Sequence, residues 1–216
     1  MHPLLKWTLY GWLMALVMAS VILLSGYLPF RYSALTGAAL AYILRCMILR
    51  QREMLAFRKM TRLVIGRTSP TSGWKLQNDW PMCLCLVISV LGLGHQPAHS
   101  AAAIVFAAIP FSRMVASQLV LMLPYRGRAE AAPARYDTTE GLLLFAAGMI
   151  CFAPLLWISG GGLMWLSRLI FVPCLVMYGL YMLLARRLRG FTYDSLMVVA
   201  MMVETALITT MVVTEH

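Results

Sequence analysis

Apolar and polar stretches alternate along this chain with a long period. Seven apolar runs, at residues 10–29, 33–48, 80–94, 98–123, 139–158, 162–185 and 192–214, are separated by short polar segments. A helix that crosses a membrane needs about 20 predominantly apolar residues, with a range of about 17 to 25. The second and third runs are shorter than that, and the fourth is interrupted by the sequence IPFSR. The pattern predicts an all-α integral membrane bundle of about seven transmembrane helices. The first run is longer than the roughly 7–15 residues of a signal-peptide core, so it is expected to stay as the first span.

The cations between the runs set the expected orientation, because Lys and Arg concentrate in cytoplasmic loops. Lys6, the eight cations from Arg45 to Lys75, Arg126, Arg128 and Arg135, and Arg186, Arg187 and Arg189 all fall on one side of a seven-span path. Only Arg31 and Arg168 fall on the other, and Arg113 lies inside a span. This asymmetry predicts a cytoplasmic N-terminus and an external C-terminus.

Composition agrees. Of 216 residues 61% are hydrophobic and 12% charged, whereas soluble domains run nearer half apolar and a quarter charged. That excludes a soluble redox or nucleic-acid-binding protein and leaves one multi-span membrane domain, residues 1–216, in a bacterial inner membrane. The net charge of +10 then suits anionic lipid. Self-association into a homo-oligomer is left open. Cys46, Cys83, Cys85, Cys151 and Cys174 lie in or beside apolar runs without zinc or disulfide spacing, and read as small apolar residues.

The longest polar stretch, residues 50–79, carries Met54, Phe57, Met60, Leu63 and Val64 at helical spacing, with Arg58, Lys59 and Arg62 between them. It reads either as an interfacial amphipathic helix on the anionic inner leaflet or as a basic cytoplasmic loop that fixes topology. TSPTSG, later in the same stretch, is a turn or loop, and SGGG at 159–162 a tight turn. His95 and His99 have the i, i+4 spacing of a metal pair, but Pro97 between them spoils that geometry.

Ionisable groups inside a membrane are costly and are functional candidates by default. Arg113 and Glu204 qualify, and Asp194 lies at the mouth of the last span. Counted from the inner ends of their spans, Arg113 and Glu204 each lie about 15 Å deep. Opposite charges at matched depth on two helices can form a structural pair; a substrate or metal role is the alternative. Pro110 in the fourth span predicts a kink beside a packing contact or a polar cavity. Thr192 or Asp194 is a candidate cap for the last helix. With Arg126, Arg128, Arg186, Arg187 and Arg189 nearby, that inner face suits a phosphate.

Two stretches carry a family resemblance. FSRMVASQLVLMLPYRGRAEAA, residues 111–132, is similar to a span arginine followed by an "lpyaR" element. RGFTYDSLMVVAMMVETALI, residues 189–208, is similar to "GG-x-TGD-x-x-GA" followed by glutamates. Both patterns belong to the cobalamin synthases, the adenosylcobinamide-GDP ribazoletransferases, which this chain resembles over about its C-terminal half. Arg113, Thr192 and Asp194 match the family's arginine, threonine and aspartate, and Glu204 its second glutamate. The resemblance implies a bundle with a cytoplasmic-side site that joins α-ribazole, or its phosphate, to adenosylcobinamide-GDP. Asp194 and Arg113 would be catalytic, and Arg126, Arg128 and Thr192 would bind a phosphate-bearing nucleotide-corrinoid substrate. Asp194 and Glu204 would hold Mg²⁺. The family's acidic element "H-x-DG-x-x-D-x-x-DG" has no counterpart. LTGAALAYILRCMILRQREML keeps Thr36 and Gly37 but none of those acids. Two functions follow: a divergent transferase, or a non-catalytic membrane protein of the same fold that binds a ligand or partner.

Overall fold

The computed structural model describes residues 3–29, 32–49, 52–65, 76–127, 138–154, 156 and 163–214. Among them the chain is helical, with no strand. The helices are α1 (Pro3–Gly26), α2 (Ser33–Ile48), α3 (Arg52–Ile65), α4 (Leu76–Gly94), α5 (Ala98–Ser117), α6 (Leu119–Met122), α7 (Thr138–Ile150), α8 (Leu163–Leu183) and α9 (Tyr193–Thr214). Four stretches are long and apolar enough to cross a membrane: Lys6–Gly26, Ala98–Met122, Ser167–Leu188 and Tyr193–Thr214. A fifth is counted if α2 and α3, bent by 81°, form one span. The apolar parts of α4 and α7 are shorter. Large apolar side chains face outward, among them Leu24 at 67% exposure and Phe171 at 66%, as lipid contact requires. Among the described residues the protein is a helical bundle with four or five stretches that could span a membrane.

At the centre stands α5, with α1 and α9 packed on it. Its hydrophobic window is 83% buried, against 17% for the peripheral α8. Lipid tails are as apolar as leucine, so helices in a membrane gain by close packing rather than by escape from solvent. Ala101, Ala102, Ala103, Ala107, Ala108 and Ala116, all buried, give α5 the slim profile this needs. Pro97 begins α5, its carbonyl accepting from Ala101 N–H at 2.8 Å. Pro110 lies within continuous helix, and the break in this run comes after Ser117, not at IPFSR.

α3 lies nearly perpendicular to α2, as an interfacial helix does. However, the face expected to lie on lipid is partly turned into the bundle. Phe57 and Met60 are buried along with Ala56, against α4 and α9, while Leu63 is exposed. Arg58 fixes this docking with a bidentate pair to Asp79 of α4, at 3.0 and 2.7 Å. TSPTSG, the SGGG turn, Arg128 and Arg135 lie outside the described residues.

On the side of the bundle where α3 lies, α8 widens into a π turn, Leu184–Leu188, followed by Arg189 in the left-handed region at φ 53°. The next residues pair with those after α6. Phe191 N–H donates to Pro124 O, and Arg126 N–H to Phe191 O, both at 2.9 Å. This single parallel bridge ties two connections together directly before α9.

Candidate functional site

The start of α9 is a reciprocal cap. Thr192 Oγ1 accepts from Ser195 N–H at 3.2 Å, and Ser195 Oγ accepts from Thr192 N–H at 2.8 Å. Two of the unpaired donors of a helix start are thereby satisfied. Thr192 is the capping residue, its hydroxyl oxygen accepting from the Ser195 N–H. Asp194 does not cap; its Oδ2 accepts from Lys59 Nζ of α3 at 2.9 Å. Thr192 and Asp194 border a shallow groove of about 310 Å³ with Lys59 and Arg62. Arg126 is exposed nearby, its Nε donating to Arg189 O at 3.4 Å.

Glu204 lies ten residues further along α9, about 15 Å up the helix. The sequence suggests Arg113 as its partner, but the structure gives it Arg45. Arg45 Nη1 donates to Glu204 Oε1 at 2.5 Å, and Tyr42 O–H donates to the same oxygen at 2.9 Å. The other edge of the Arg45 guanidinium holds Glu53 of α3 bidentately, at 3.1 and 2.7 Å. Arg45 is 2% exposed, Glu204 2% and Glu53 8%. One guanidinium thus joins three helices and pairs with two carboxylates.

Arg45 sits in the last turn of α2 and resembles an inner-loop cation. With 16 residues α2 is only about 24 Å long, less than the roughly 30 Å hydrocarbon core. Its last turn packs within the bundle and buries Arg45 there.

Arg113 lies on the far wall of the same space. It is 6% exposed. Its Nη1 donates to the Trp7 carbonyl at 2.9 Å, and its guanidinium lies 5.5 Å from the centre of the Trp7 ring. Among the described residues no carboxylate pairs with it. Gly11 makes room for its stem, since a Cβ there would come within 2.7 Å of Arg113 Cδ. Between the two arginines is a cavity of about 380 Å³, bordered by α1, α2, α3, α5 and α9. Three cations, Arg45, Arg52 and Arg113, line it against two carboxylates, Glu53 and Glu204. Ser112 adds a hydroxyl. The helix runs on through Pro110, and the cavity is lined by Ser112 and Arg113 rather than by the proline.

The residues singled out from sequence fall into two places, with Thr192 and Asp194 at the groove and Arg113 and Glu204 at the cavity. Asp194 and Glu204 hold different cations and do not converge, so they do not form the Mg²⁺ site that the resemblance implies. Glu53 and Glu204 do approach a common point, and the Arg45 guanidinium fills it. Among the described residues no group of three His, Cys, Asp or Glu is placed to hold a metal. Glu53, Arg45 and Tyr42 were not legible as site residues.

Compared with known proteins, the chain matches no family model, no curated sequence and no solved structure. The resemblance to the ribazoletransferases rests on the two quoted stretches alone.

Proposed function

We propose that this chain is a non-catalytic, multi-span membrane protein that binds a phosphate-bearing ligand in the cavity at Arg113. The observation that carries this reading is a buried guanidinium that lines a cavity and has no carboxylate partner among the described residues. A buried charge without a partner is expensive, and a ligand anion offsets that cost. Guanidinium donors in a planar fork match phosphate oxygens in pairs.

The non-catalytic part rests on Arg45. A phosphate-transfer site of the kind the resemblance implies needs Mg²⁺ on one or two carboxylates. Here the cation between Glu53 and Glu204 belongs to the chain. The transferase is the rival proposal, and product formed from adenosylcobinamide-GDP, α-ribazole and Mg²⁺ in membranes holding this chain would establish it.

In lipid discs of neutral composition, phosphate-bearing compounds should raise the unfolding temperature of the wild-type protein. Arg113→Gln should abolish the rise, and Arg113→Lys should keep part of it. A rise that survives Arg113→Gln places the anion elsewhere.

We also read the bundle as seven spans with the N-terminus in the cytoplasm, taking α4 and α7 as short spans. Reporter fusions at Arg62 and Arg187 should be cytoplasmic, and one at the C-terminus external. A cytoplasmic C-terminus would overturn the count.

A further inference from the structure

We infer that the ligand is an amphiphile from the bilayer, a phosphate ester on a long alkyl or prenyl chain. Its head would sit at Arg113 and its chain would leave sideways into lipid. This rests on the anion-binding reading and adds the direction of approach.

The lining of the cavity changes character from one end to the other. Its inner wall is charged and closed, with Arg45, Glu204 and Arg113 all nearly inaccessible. Its outer edge is apolar and open. Tyr10 and Leu13 of α1 are 68% and 62% exposed, and Ile48 of α2 is 50% exposed. The mouth is therefore flanked by side chains that themselves face away from the bundle.

Depth fixes what lies outside that mouth. Tyr10 opens the first apolar run and Leu13 lies three residues, about 5 Å, further along it. The opening thus lies where the apolar run begins, just below the inner headgroups. A free anion using it would have to cross hydrocarbon. A lipid already has its chain there and its head within reach of Arg52 at the rim. Arg113 holds the phosphate by charge-assisted hydrogen bonds, while Tyr10, Leu13 and Ile48 accept the chain. The excess of one cation over the carboxylates lining the cavity suits a single phosphate.

The test uses the full chain in discs of digalactosyldiacylglycerol, a lipid without phosphate, with unfolding temperature as readout. Dodecyl phosphate and inorganic phosphate are titrated separately against wild type, Arg113→Gln and Ile48→Trp. Dodecyl phosphate should act at a concentration at least about tenfold lower than inorganic phosphate, since each methylene at the apolar mouth adds affinity. Arg113→Gln should remove both effects. Ile48→Trp, which narrows the mouth, should weaken only dodecyl phosphate. Equal potency of the two would overturn the bilayer source and leave anion binding standing. No Arg113-dependent effect of either would overturn both readings. Should Arg113→Gln fail to unfold cooperatively, native mass spectrometry of wild type from mixed lipid decides. Retained phosphatidylglycerol supports the inference, and retention of digalactosyldiacylglycerol, which has no phosphate, in equal amount refutes it.

Discussion

Replacing Arg45 with alanine should destabilise this protein by about 3–5 kcal/mol, the cost of stranding buried charge that has lost its partner. Two carboxylates would be left facing each other, Glu53 and Glu204, both nearly excluded from solvent. The Tyr42 hydroxyl would still donate to Glu204, but one neutral hydrogen bond does not replace a guanidinium. Because the stranded charge is the cause, Glu204→Gln in the Arg45→Ala background should recover part of the loss. The two substitutions should therefore be strongly non-additive in a double-mutant cycle. Denaturation in neutral lipid discs, followed for the four proteins of that cycle, is the measurement. Simple additivity would mean that Arg45 and Glu204 are not coupled.

Gly37→Leu should be the next most damaging change. α2 crosses α1 at this glycine, where a Cβ would lie 2.7 Å from Ser25 Cβ and 3.3 Å from the Ile22 α-carbon. The backbone of α1 cannot yield as a flexible side chain can. Overpacking of this kind costs about 1–3 kcal/mol. There is a second consequence, because Ala41 and Arg45 follow Gly37 at intervals of four on the same buried face of α2. Moving α2 away from α1 displaces the Arg45 guanidinium from its carboxylates, so the loss should approach that of Arg45→Ala. Gly37→Ala should fall between wild type and leucine in unfolding temperature. A neutral Gly37→Leu would show that the crossing is not tight.

Helix boundaries were legible because lipid enforces a simple rule: every backbone donor must be satisfied within a long apolar helix. The run at 33–48 coincides with α2 and the run at 192–214 begins one residue before α9, whereas α1 starts seven residues before its run and α7 ends eight before the end of its run. Which helix lies at the centre follows from small residues only in retrospect, since the alanines of α5 do not by themselves say what packs on them. The site was half legible. Arg113 and Glu204 stood out as charges deep in apolar runs, but their pairing was inferred from matched depth alone. That argument neglects neighbours that reach in from a helix end, as Arg45 does. A better signal was available in the scarcity of acids, eight against eighteen cations. Asking which cation each acid holds would have drawn attention to the inner arginines: Glu53 and Glu204 share Arg45, Asp79 holds Arg58 and Asp194 holds Lys59.

The guanidinium between Glu53 and Glu204 is attached to the polypeptide. It does not dissociate, a chelator does not extract it, and manganese or calcium does not compete for its place by simple exchange. The charge at that wall is therefore set when the chain is translated and is indifferent to the ionic supply of the cell.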